Sequence, residues 1–209
     1  MKTMTTHKKL LSLTALTAVL GASFVGVQNA NAQAQQDLNA TAQFQVALVT
    51  SLVSDMDFGT IGVTNPTPDP ASSALLATDG SITYTNDFQG SGSGVIGQVD
   101  ITAGSTGTDI DIFCDTTITL DSGATPGNTI DVTGIGFDFN SATTGAPSTA
   151  CNGATATAAA TNQVSSFNAN INLGGTLDAS TISGGLDQEA LYDSTGANGA
   201  AAVVRVAYK

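Results

Sequence analysis

From Leu38 to Phe58 the chain alternates. Its even positions read Leu38, Ala40, Ala42, Phe44, Val46, Leu48, Thr50, Leu52, Ser54, Met56 and Phe58, and all eleven are uncharged. Its odd positions read Asn39, Thr41, Gln43, Gln45, Ala47, Val49, Ser51, Val53, Asp55 and Asp57. Period two is the signature of a strand, whose successive side chains point to opposite faces. Fully extended, this segment would reach about 65 Å, whereas strands in globular sheets have roughly 3–10 residues. Two arrangements relieve the excess. Either the pattern is divided between two subunits, or one strand bends at Thr50 or Ser51 and crosses between two sheets.

Downstream, Val63 to Ala74 holds Pro66, Pro68 and Pro70 and reads as a loop or edge. Strands are predicted for Ser81 to Thr85, Val95 to Thr102, Asp109 to Cys114 and Thr116 to Leu120, with a glycine-rich turn at Gly90 to Gly94. Between Thr129 and Phe139 the apolar parity slips, from Ile130 and Val132 to Ile135, Phe137 and Phe139. An extra residue must be absorbed there, and Gly134 is the natural bulge. Ser141 to Asn162 is rich in Ala, Thr and Gly and reads as a long loop. Phe167, Ala169, Ile171 and Leu173 mark a further strand, and Ala200 to Tyr208 a last one, with Ala202, Val204, Val206 and Tyr208 on one face. No stretch after Gln33 keeps helical periodicity. Seven or eight short strands separated by turn signals predict an all-β, immunoglobulin-like sandwich.

The N-terminus follows another logic. Lys2, His7, Lys8 and Lys9 precede a mostly apolar run from Leu10 to Val27, and Ala30-Asn31-Ala32 closes it, the order of a secretory signal peptide. Residues 1–32 are therefore read as a signal, 33–48 as an N-terminal extension and 49–209 as the sandwich domain. From Gln33 onward the only cations are Arg205 and Lys209, set against all 17 acids, so the net charge is 2 − 17 = −15. Such a chain lacks the basic patch that would neutralise phosphates, and nucleic acid is not an expected partner. After Val27 no apolar run approaches the ~20 residues that span a bilayer, so no membrane insertion is expected either.

The mature chain contains no His, which removes Ser-His-Asp and Cys-His nucleophile systems and imidazole metal ligands. No enzyme activity, cofactor or metal is expected. Cys114 and Cys151, an even pair in an exported chain, are expected to form a disulfide, and Cys114 shares a strand face with Ile110 and Ile112. Gly92-x-Gly94-x-x-Gly97 matches a dinucleotide fingerprint, but a strand follows where that motif needs a helix N-terminus. Asp55/Asp57 and Asp109/Asp111 each place two carboxylates on one strand face, a pattern that suits calcium, a two-carboxylate hydrolase or, as the favoured reading, a solvated surface. Asn39-Ala40-Thr41 matches a glycosylation acceptor.

Gly196, the fourteenth residue counted back from Lys209, the alternating terminal strand and the penultimate Tyr208 together resemble the terminal signature of chaperone–usher pilins. The stretch Phe44 to Ile61, with Met56-Asp57-Phe58-Gly59-Thr60-Ile61, is similar to the opening of small secreted bacterial β-proteins with an L/M-x-F-G-x-I motif. The pilin resemblance implies an incomplete immunoglobulin-like sandwich completed by an extension from the next subunit. It implies donor residues Leu38, Ala40, Ala42, Phe44 and Val46, and an acceptor groove bordered by Ala202, Val204, Val206 and Tyr208. It further implies self-assembly into an extracellular filament, with a periplasmic chaperone and an outer-membrane usher as partners. The cysteine pair stands later in the chain than is usual in that family. The alternative expectation is a monomeric secreted module that binds carbohydrate or calcium through its Asp-bearing loops.

Overall fold

The computed structural model describes residues 42, 45–153 and 169–209. The strands are β1 (Val49–Ser54), β2 (Ile61–Val63), β3 (Ser73–Leu76), β4 (Ile82–Thr85), β5 (Phe88–Gly90), β6 (Gly97–Ala103) and β7 (Ile110–Cys114). They continue with β8 (Ile118–Ser122), β9 (Thr129–Phe139), β10 (Thr149–Ala150), β11 (Ala169–Ser183), β12 (Tyr192–Asp193) and β13 (Val204–Tyr208). No helix occurs among the described residues, so the all-β class holds. All strand pairs are antiparallel.

A large curled sheet runs β1-β6-β11-β9-β8-β12, with β3 and β4 continuing beside β11 and β10 beside β9. Two ribbons, β7–β13 and β2–β5, complete the sandwich-like arrangement. Strand β11 organises the large sheet. Along one side it pairs with β9; along the other, Ala169–Leu173 pairs with β6 and Gly175–Asp178 with β3. The change of neighbour falls at Gly174 and Gly175. A Cβ on Gly174 would collide with the Leu76 carbonyl, and one on Gly175 would lie 2.8 Å from Val132 Cγ1. Only residues without side chains let β3 and β9 close in on both flanks.

This explains why β11 is longer than the alternation in Phe167–Leu173 suggests. The marked alternation stops at Leu173, and the Gly-Gly pair that follows it is a crossing point within the strand. The bulge in β9 lies where the parity slip puts it: Gly174 faces Gly136 and Thr176 faces Thr133, so two residues of β9 oppose one of β11. Gly134 takes φ +57°, which a glycine adopts without strain. Short strands β2, β3, β5, β10 and β12 escape the sequence pattern because two to four residues give too little periodicity to detect.

The centre of the core is Leu76, Ile101, Ile112, Ile130, Val132, Ile135, Phe137 and Ile171, each fully buried. Each contributes roughly 1.5–3 kcal/mol of burial relative to exposure. Cys114 and Cys151 form the expected disulfide, with Cα atoms 5.1 Å apart. Around it the Cys151 N–H donates to Ile135 O at 2.8 Å and the Gly153 N–H to Cys114 O at 2.9 Å, so the β7–β13 ribbon is pinned against β9.

The terminal strand is shorter than the sequence reading. Only Val204–Tyr208 pairs with β7; Ala200 instead bridges Thr119 of β8. Its partner segment turns at Asp115 from the ribbon into the large sheet, and residues 201–203 follow that corner. Replacing both cysteines by Ala should cost about 4 kcal/mol in chemical denaturation, given the 37-residue separation. Gly174→Ala should cost about 1–3 kcal/mol through overpacking against Leu76, measurable in the same experiment.

Candidate functional site

The β7–β13 ribbon is unevenly covered. Its inner face is made of three cross-strand rows, Ile110–Tyr208, Ile112–Val206 and Cys114–Val204. The β7 members are buried at 2%, 0% and 1% exposure, whereas Val204, Val206 and Tyr208 are only half-buried. Ala202, just before the strand, is half-buried on the same side. All four residues expected to border a groove therefore share one apolar face that is incompletely covered.

The backbone matches this. Asp115 N–H donates to Val203 O and Lys209 N–H to Asp109 O, so odd-numbered residues of this stretch turn their polar groups toward β7. By antiparallel alternation, Val204, Val206 and Tyr208 direct N–H and C=O away from it. No strand among the described residues pairs with that side.

A second gradient runs across the large sheet. In the row Phe139–Ile171–Val99–Leu52, Ile171 is fully buried, Val99 is half-buried and Leu52 on edge strand β1 is 64% exposed. Val46, Val49 and Val53 are also exposed, which gathers four of the large exposed apolar side chains within one eight-residue stretch. Among the described residues β1 pairs only with β6, with register shifts between Val49 and Thr50 and between Leu52 and Ser54. It does not cross to the ribbon.

The two thinly covered edges meet at Tyr208. Its hydroxyl donates to Val46 O at 2.6 Å and accepts from Ser105 N–H at 2.6 Å, while Val46 N–H donates to Ser105 Oγ at 3.1 Å. The penultimate tyrosine thus fixes the point at which the chain joins the domain. Of the expected donor residues, Leu38, Ala40 and Phe44 lie outside the described residues. Ala42 is exposed, and Val46 is held by its backbone with its side chain 58% exposed. Ser105, Leu52 and Val99 were not singled out by sequence: Ser105 sits in an undistinguished Gly-Ser-Thr loop, and edge exposure is invisible before the sheet order is known.

The ribbon's outer face carries Asp109, Asp111 and Phe113 opposite Lys209, Ala207 and Arg205. The Arg205 guanidinium lies 5.3 Å from the Phe113 ring centre. Asp57 accepts the Gly59 N–H at 2.7 Å, an Asx turn. Among the described residues no group of three or more His, Cys, Asp or Glu is arranged to hold a metal ion. No protein-family model, no curated protein and no solved structure matches this chain.

One buried charge also went unread. Asp138, 1% exposed, receives hydroxyl hydrogen bonds from Thr78, Ser148 and Thr143, the last at 2.8 Å, and the Ser148 N–H at 3.2 Å. Burial pushes its pKa up, but these donors together outweigh that and hold it below the usual carboxylate value. The cluster staples residues 143–148 to the turn after β3. Its only sequence trace is a charge between Phe137 and Phe139. Because the folded-state pKa is depressed, the stabilisation is present above the unfolded value near 3.8 and is lost as pH falls through the folded one. Asp138→Asn should therefore cost about 1–3 kcal/mol at pH 7. It should also flatten part of the stability loss below about pH 4, read as denaturation midpoints across a pH series.

Proposed function

We propose that the chain is exported and is the structural subunit of an extracellular bacterial filament, without chemistry of its own. Copies join by strand addition: the segment from Leu38 to Phe44 of one subunit lies along the open edge of β13 in the next and completes an immunoglobulin-like sandwich. The observation that carries this reading is the half-buried apolar face of Val204, Val206 and Tyr208 beside a backbone edge with no described partner.

The chemistry of strand addition fits both partners. The edge supplies main-chain hydrogen bonds and its inner face supplies shallow positions for alternate side chains. Leu38 to Phe44 spans about 20 Å when extended, enough to run beside a five-residue strand and reach Ala202. Its inward set, Leu38, Ala40, Ala42 and Phe44, is apolar throughout. Burying Leu38 and Phe44 contributes roughly 1.5–3 kcal/mol each, against the cost of ordering the segment. Val46, held by Tyr208, is the root from which the donor leaves its own domain. Secretion agrees with the leader-like N-terminus and with a disulfide, which persists in oxidising compartments.

Electron microscopy of material sheared from expressing cells, with mass spectrometry of its main band, should find fibres built from this chain. Phe44→Asp or Ala42→Trp should abolish them, whereas Gln43→Glu, on the opposite face, should leave them intact. A chain lacking residues 33–44 should be monomeric and should gain thermal stability when a peptide of residues 33–46 is added. Fibre formation by that shortened chain, or indifference to the peptide, would overturn the reading.

A further inference from the structure

Resting on that strand-addition reading, we propose that the charge pair Asp37–Lys209 sets the polarity and register in which one copy's N-terminal segment docks on β13 of another. Asp37 is the only charged residue between Gln33 and Ser54, and Arg205 and Lys209 are the only cations after Lys9. In a chain this acidic, the β13 stretch is the one place where an incoming carboxylate meets opposite charge.

Parity brings these groups to one face. The docked segment turns its even residues inward onto Val204, Val206 and Tyr208, so Asp37 points outward, as Arg205 and Lys209 do. Full cover of the inner face leaves two registers. Run antiparallel, Leu38 faces Tyr208, Ala40 faces Val206, Ala42 faces Val204 and Phe44 faces Ala202, which places Asp37 opposite Lys209. Run parallel over the same four positions, Leu38 faces Ala202 and Phe44 faces Tyr208, which places Asp37 opposite Ala201, where no cation stands.

The antiparallel register is thus favoured by an attraction that its rival lacks. It also sets the largest donor side chain, Phe44, against the small Ala202. Because the even residues of β13 supply the hydrogen bonds, Asp37 and Lys209 form a non-hydrogen-bonded pair, the kind whose side chains approach most closely. On its other flank Lys209 faces Asp109, giving an acid–base–acid row across three strands. A two-residue slip would put Asp37 beside Ala207 instead, with Asp111 one strand further on and no cation opposite.

The test uses full-length variants co-expressed in pairs. Asn39→Cys in one copy should form an intermolecular disulfide with Ala207→Cys in the other, seen as a reducible dimer in sheared material. Asn39→Cys with Val203→Cys, the parallel pairing, should not. Lys209→Asp alone and Asp37→Lys alone should each weaken assembly about two- to fivefold at low salt, an effect screened at high salt. The two changes combined in one chain should restore it. A cross-link to position 203 in preference to 207, or single reversals that leave assembly unchanged, would overturn the pairing while leaving strand addition standing. Wild-type material that never associates would overturn strand addition, and the pairing with it.

Discussion

The Cys114–Cys151 bond determines which part of this domain is covered. A two-stranded ribbon is too narrow to shield a sheet that extends through β1, β6, β11, β9, β8 and β12. It has to lie somewhere, and the disulfide, with the Cys151–Ile135 and Gly153–Cys114 hydrogen bonds around it, holds β7 against β9. Ile112 and Ile171 are therefore completely enclosed, and cover thins toward β13 on one layer and β1 on the other. The half-exposed apolar edge is the geometric consequence of where the covalent tie falls.

Elsewhere, among the described residues, carboxylates acting as acceptors for neutral donors tie the loops down. Asp138 gathers three hydroxyls and an N–H. Asp121 receives the backbone N–H groups of Gly127 and Asn198, which hold its pKa below the usual value. Asp187 takes the Ser122 hydroxyl at 2.5 Å and is lowered in the same direction. A sequence with so few cations but many Ser, Thr and Gly residues has this means of anchoring its loops, since each short polar residue offers a hydroxyl or an accessible amide.

In the proposed filament the same scarcity acquires a second use. Subunits at net charge −15 repel one another at long range, so association needs a local site that reverses the sign. Arg205 stands on, and Lys209 just past, the strand whose outer edge has no partner among the described residues, and the outer parity of that stretch matches the parity of Asp37 in the proposed donor. Apolar burial would supply the affinity of such a joint and charge its register, the usual division of labour between the two effects.

Much of this was legible in the chain itself. Alternation of apolar and polar residues determined the all-β class, the inner faces of β7 and β13, and the extent of β9, because period two has only one structural reading. The parity slip located the bulge at Gly134, since a strand can change face only through an extra residue. Two cysteines in a chain with a leader-like N-terminus determined the disulfide. Tertiary structure alone decided the rest. The Gly174-Gly175 pair extends β11 instead of ending it because β3 and β9 close in from both sides, a fact about neighbours far away in sequence. Asp138 is buried because Thr78, Thr143 and Ser148 converge on it from other segments. Exposure of the β1 and β13 edges depends on strand order and on how far one layer overlaps the other, and neither quantity is written in the local pattern of any strand.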